Sequence, residues 1–204
     1  MDASSTIFYL AILIPSVLIG MTIHEAMHAY AGLLLGDETA QREGRVSLNP
    51  LHHIDPFYTL LLPIITIALF HAPILAAKPV PFNPYRVRFG EWGAALIALA
   101  GPASNLALAI IGAVVAHIVG MTTLVGAVFG LFVYVNVQLC IFNLVPIPPL
   151  DGSRVLFAFA PEPLQEFMQA IEPYGLFIIF ALVLVGGFGG LLVGLNQAVL
   201  QFLL

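Results

Sequence analysis

The sequence predicts an all-α polytopic membrane protein. Of its 204 residues, 60% are hydrophobic and only 8% charged, against about 25% charged in soluble domains. Mean hydropathy is +1.03. Several apolar runs exceed the roughly 20 residues that a helix needs to cross a bilayer core, and none alternates in the short segments of a membrane β-barrel. The expected architecture is about five to six transmembrane helices in a single domain spanning residues 1–204. Short extended or β-like segments are expected near residues 45–49 and 78–88. The core is placed at about residues 6–157, with amphipathic and membrane segments following over 158–204.

The first apolar run, Thr6 to Leu35, contains Pro15 as a candidate kink and ends at Gly36-Asp37. It lacks the positive flank of a signal peptide, so a retained segment is expected. In the polar stretch that follows, Arg45-Val46-Ser47-Leu48 alternates like a short strand before the turn residues Asn49-Pro50. A second run, Phe57 to Ala77, contains Pro63 and Pro73 and either spans or dips into the membrane. The proline-rich KPVPFNPYRVRFGE, residues 78–91, excludes helix. The third run, Trp92 to Val119, carries small residues suited to close helix packing. The fourth, Met121 to Val145, leads into PIPPLDG at 146–152. Residues 153–173 read as an interfacial amphipathic helix. The last run, Tyr174 to Leu204, is interrupted by GGFGG at 186–190 and reads as either one span plus a short helix or one long tilted helix.

Six Lys and Arg residues leave no basic patch, so no nucleic-acid partner is expected. A single cysteine, Cys140, excludes an internal disulfide. The basic residues are divided between the two polar loops, so the positive-inside rule gives little contrast for orientation.

The chemistry lies at HEAMH, residues 24–28. Positions i and i+4 share a helix face, so His24 and His28 can bind one ion. Glu25, about 100° away, can reach a water on that ion without being a ligand itself, as in the H-E-x-x-H zinc hydrolases. Ionisable groups inside a membrane helix are costly and mark function by default. A catalytic zinc needs a third protein ligand. The candidates are Asp55, Asp151, His52 and His53. Asp151 is favoured because the prolines before it can turn its carboxylate inward; its bland reading is the N-cap of a helix starting near Gly152. Asn143, eight residues upstream, is read either as an oxyanion or substrate donor or, more blandly, as a helix C-cap or an interhelical hydrogen bond. For Asn105, structural hydrogen bonding is favoured over lining the site.

The order HEAMHAY, GRVSLNPLHHIDP, AKPVPFNPYR, ALAGPASNLALA, FNLVPIPPLDGSRV over residues 20–157 resembles the site-2 protease family of intramembrane zinc metalloproteases. The resemblance implies one Zn2+ per chain on His24, His28 and Asp151, with Glu25 as general base. It implies that Asn143 stabilises the tetrahedral intermediate. It also implies cleavage of transmembrane protein or peptide substrates, often to release a regulator. The expected location is a multi-pass position in a prokaryotic cell membrane among its lipids, with the active site nearer the cytoplasmic side and room for a membrane regulator. Oligomeric state is left open. The chain departs from many members in carrying no PDZ or CBS domain, and Tyr58 stands where glycine is expected.

His53 falls on the family-like NPLxHxDP histidine and is read evenly as site-lining or interfacial. His52, His71 and His117 read as solvated, interfacial or satisfied. Trp92, Tyr85 and Tyr174 fit an aromatic belt. The extended segment around Val46 invites the expectation that an unwound substrate adds to it as a strand. Two competing readings are a proteolytically silent chaperone or receptor on the same fold and a metal transporter. Transport needs no general base, and no inverted repeat is visible.

Overall fold

The computed structural model describes residues 2–55, 59, 61, 80–83, 85–185 and 187–204. The expectations for the second apolar run, with Pro63, His71 and Pro73, and for Tyr58, Lys78 and Pro79 lie outside these residues. Among the described residues all regular structure is helical.

Helix α1 spans Ala3–Leu34, with Asp2 as N-cap accepting from the Ser5 backbone N–H at 2.9 Å. Pro15 sits inside it without ending it. The helix stops where expected. Gly36 adopts φ +96°, its N–H reaches the Leu33 carbonyl, and the Asp37 N–H reaches the Gly32 carbonyl at 2.9 Å. These paired bonds form a Schellman motif, which favours glycine at the left-handed position.

Asp37 then does something its exposed-looking context did not suggest. It is 1% exposed. Its carboxylate accepts from the Thr39 N–H at 3.0 Å, the Thr39 hydroxyl at 2.5 Å and the Asn83 N–H at 2.6 Å. The Arg88 N–H bonds the Leu35 carbonyl at 2.9 Å. The segment after residue 80 is thereby tied to the end of α1, and α2, the single turn Thr39–Arg42, follows from the same anchor.

The strand expected at residues 45–49 is not formed. The Ser47 N–H turns back to the Arg45 carbonyl at 2.9 Å. Arg45 donates its guanidinium to the His52 carbonyl, and His53 Nε2 bonds the Ser47 carbonyl at 2.8 Å. A 3-10 turn, Pro50–His52, is capped by Asn49. Alternation alone cannot make a strand without a partner to complete the ladder, and the side chains of this loop satisfy its carbonyls instead. The described part of 78–88 is irregular or turn, with no strand either.

Helix α3, Glu91–Val119, is the central element and packs against α1, α4 (Leu124–Asn143) and α5 (Asp151–Phe159). Its buried face is built from small residues, among them Ala94, Ala98, Gly101, Ala109, Gly112, Ala113 and Ala116. In lipid, helix association depends on close packing and interhelical hydrogen bonds more than on hydrophobic burial. Ala109 and Ala113 meet Val133 and Val137 of α4, with Val199, Leu200 and Leu203 packed beside them.

The expected interfacial helix at 153–173 is two helices, α5 and α6 (Glu162–Ile171), because Pro161 interrupts the pattern. An ion pair between Arg154 and Glu172 joins them. The last run is also two helices, α7 (Gly175–Val185) and α8 (Phe188–Leu203), with Gly187 at φ +85° between them. Among the described residues, four helical stretches are long and apolar enough to cross a membrane: Ser4–Leu34, Glu91–Val119, Leu124–Asn143 and Glu162–Val183. Tyr85, Trp92 and Tyr174 are exposed near helix ends, and His117 bonds the Ala113 carbonyl of its own helix at 2.9 Å.

Burial pushes the Asp37 carboxyl up, but the Thr39 hydroxyl and the backbone N–H groups of Asn83 and Thr39 hold it below its ordinary value of 3.8. A group with a lowered folded value stabilises above its unfolded value and loses that contribution as pH falls through the folded one. Asp37→Ala is expected to cost about 1–3 kcal/mol. It should raise hydrogen exchange in residues 36–47 and 85–88 at neutral pH, and the difference from the wild type should begin to shrink as pH falls below about 4 and continue to do so through the lowered folded value.

Candidate metal centre

His24 and His28 lie one turn apart on α1 and are both buried. Their Nε2 atoms are 3.0 Å apart. Asp151, the first residue of α5, brings its Oδ2 to 3.1 Å from His24 Nε2 and 3.3 Å from His28 Nε2. The N-cap of α5 is Leu150, so Asp151 does not cap the helix, and its carboxylate is turned towards the histidines.

The opposite edge of each imidazole determines what this meeting means. His24 Nδ1 lies 2.6 Å from Asn105 Oδ1, and His28 Nδ1 lies 2.7 Å from the Ile97 carbonyl. Both neighbours are acceptors, so both Nδ1 atoms carry the proton. In the neutral rings each Nε2 then presents a lone pair inward. Asp151 Oδ2 is buried without a hydrogen-bond donor among the described residues, despite its closeness to the two nitrogens. Three lone-pair atoms therefore converge in a buried space, an arrangement that repels itself unless a cation sits among them.

The donor set fits a divalent metal. Ligands about 2.0–2.1 Å from a tetrahedral zinc stand about 3.3 Å from one another, and the three separations here are 3.0, 3.1 and 3.3 Å. Outward hydrogen bonds from Nδ1 are the usual support of metal-binding histidines. His24, His28 and Asp151 form the group suited to a metal among the described residues. Space is made by α3: a Cβ on Gly101 would lie 2.4 Å from His28 Nε2 and 2.7 Å from His24 Cε1.

The Asp151 side is held by a stitched turn. The Ile147 N–H bonds Val145, the Leu150 N–H bonds Ile147, and the Ser153 hydroxyl bonds the Leu150 carbonyl at 2.7 Å. A Cβ on Gly152 would lie 2.1 Å from the Leu144 carbonyl oxygen, so the turn after α4 and the start of α5 are in direct contact. Glu25 follows His24 on α1 and is half-buried. Asn143, the last residue of α4, donates one amide proton to the Leu139 carbonyl at 2.9 Å.

Of the other sequence candidates, His53 is 3% exposed and lines a small cavity with Leu18, Met21 and Thr22 of α1. Its Nδ1 has no hydrogen-bond partner among the described residues. Val46 is half-buried in the loop described above, and His52 bonds the Gly44 carbonyl at 2.9 Å. Asn105 is brought to the site, though as a neighbour of His24 and not as an open lining residue. Asn136 was missed altogether. It is 0% exposed and meets Asn105 at 3.1 Å; its polar amide inside an apolar helix was the available signal.

Four membrane-length helical stretches and a buried His–His–Asp group suited to a metal define the chain as a helical membrane protein with a candidate metal centre. The comparisons agree. The description "Peptidase family M50" matches residues 120–186. The chain is 36% identical over 186 residues to "Putative zinc metalloprotease YwhC" of Bacillus subtilis, covering 87% of this chain and 81% of that protein. It is 28% identical over 179 residues to "Putative zinc metalloprotease Rip2" of Mycolicibacterium smegmatis, covering 82% of this chain and 64% of the relative. Rip2 of Mycobacterium tuberculosis is likewise 28% identical over 170 residues, with 63% of its length covered. No solved structure matches the chain. The chain belongs to peptidase family M50.

Gly101→Ala places a methyl group against both imidazoles. The expected outcome is loss of most bound divalent metal, read by elemental analysis of the purified protein. Ala98→Gly, one turn earlier on the same packed face of α3, is expected to keep its metal.

Proposed function

We propose that this chain is an intramembrane zinc endopeptidase that hydrolyses peptide bonds in or near transmembrane segments of other membrane proteins. The observation that carries the reading is the convergence of two imidazole lone pairs, on a helix long enough to span a bilayer, with a carboxylate oxygen that has no donor among the described residues. Kinship with proteins named as zinc metalloproteases supports it.

His24, His28 and Asp151 would hold one zinc ion, which when bound supplies the Lewis acidity that activates water and polarises the scissile carbonyl. The remaining chemistry falls to the chain. Glu25 accepts a proton as the water oxygen bonds to the carbonyl carbon. It returns that proton to the amide nitrogen as the carbon–nitrogen bond breaks. Asn143 has a second amide proton beyond the one given to Leu139, and that proton meets the developing oxyanion. His53, in its cavity against α1, contacts the substrate chain. The substrate is a membrane-embedded segment unwound at the cut site. The reading places the enzyme in the cell membrane with its centre towards the cytoplasmic side, where a membrane-bound regulator would control access.

Two variants separate proteolysis from a silent or transporting relative. In proteoliposomes with a membrane-spanning reporter, Glu25→Gln is expected to keep its zinc and lose cleavage by about 10²–10⁴-fold. Cleavage at the wild-type rate would remove Glu25 from the reaction. Asn143→Ala is expected to reduce turnover by about 10²–10³-fold with zinc content unchanged.

A further inference from the structure

Two buried asparagines on different helices connect the centre to a part of the fold that holds no ligand. Asn105 of α3 and Asn136 of α4 are both 0% exposed. Asn136 Nδ2 donates to the Phe132 carbonyl of its own helix at 2.9 Å, which turns its Oδ1 towards α3. Asn105 Nδ2 donates to that Oδ1 at 3.1 Å and to the Gly20 carbonyl of α1 at 3.1 Å. Both Asn105 amide protons are then used, and its Oδ1 faces His24 Nδ1 at 2.6 Å. Rotating either amide by half a turn would set acceptor against acceptor. The polarity of the whole chain is thus determined from the Phe132 carbonyl to the imidazole.

We infer that Asn105 and Asn136 form a positioning relay that holds His24 in its Nδ1–H tautomer and makes zinc affinity depend on the docking of α4. The relay rests on the metal reading above. Its logic is an asymmetry between the two histidines. His28 is oriented by a backbone carbonyl, that of Ile97, which no substitution can remove. His24 is oriented by a side chain whose amide is held in turn by the Gly20 carbonyl and by Asn136, and Asn136 is the part of that hold a substitution can remove. A mere interhelical fastener would bind α3 to α4 without needing this direction. Asn196 of α8 provides such a case. It is also buried and bonds Gln138 at 2.9 Å, but its Oδ1 has no hydrogen-bond partner among the described residues.

The test uses the full-length protein in detergent. Zinc affinity is read by competition with a chromophoric chelator. The His24 tautomer is read by nitrogen NMR of histidine-labelled, zinc-free protein, assigned with His24→Gln. Asn105→Leu is expected to weaken zinc binding by about 10–100-fold and Asn136→Leu by about tenfold. The double variant should lose no more than Asn105→Leu alone, because Asn136 acts through Asn105. Asn136→Asp keeps an acceptor for Asn105 and should retain zinc within about threefold. Asn196→Leu should bind zinc as the wild type does. In Asn105→Leu and Asn136→Leu the Nδ1–H signal of His24 should give way to a tautomer mixture. Wild-type affinity and an intact Nδ1–H signal in Asn136→Leu would overturn the relay, and so would losses that multiply in the double variant. If Asn105→Leu does not fold, the Asn136→Leu and Asn136→Asp pair decides. If the wild type binds no zinc, the functional reading fails and the tautomer signal alone decides the relay.

Discussion

Three lone pairs meeting inside an apolar bundle are the constraint on which the rest of this molecule depends. His24 Nε2, His28 Nε2 and Asp151 Oδ2 stand 3.0–3.3 Å apart, and such a cluster is tolerable only with a cation among its members. In the neutral rings no proton occupies that place, since both histidines direct their N–H outward to Asn105 and Ile97. A membrane interior sharpens the demand, because water is scarce and unsatisfied polar groups are expensive there.

The packing follows from that demand. α3 must approach α1 closely enough for its backbone to reach His28 and for Asn105 to reach His24. Gly101 and the alanine-rich face permit the approach. α4 supplies Asn136 and, through the stitched proline turn after it, delivers Asp151 at the start of α5. Helix association in lipid depends on close contact and hydrogen bonds, so the interactions that assemble the bundle and those that orient the ligands are largely the same ones.

Some of this was legible in the chain and some was not. The apolar runs announced α1, α3 and α4 to within about three residues at each end, because lipid imposes length and composition directly. His24 and His28 were legible because a four-residue spacing on a helix has one geometric meaning. The strand at 45–49 was misread: alternation describes two faces but does not supply a neighbouring strand, and the carbonyls of Ser47 and His52 are taken by His53 and Arg45. Asp37 passed unnoticed as a loop carboxylate. Its role exists only because residue 83 folds back onto it.

By itself, then, the sequence determined the class of protein, the principal spans and the histidine pair, all of which rest on local periodicity or on the solvent the chain must face. Asp151 was singled out from four candidates, but only the tertiary structure brought it to the histidines across 123 positions. It also revealed Asn136, turned Asn105 from a bystander into the orienting partner of His24, and split the C-terminal amphipathic and apolar runs into four helices. The physical reason is common to these cases. Hydrogen-bond direction and lone-pair convergence are properties of atoms brought together from distant parts of the chain, and no local pattern encodes them.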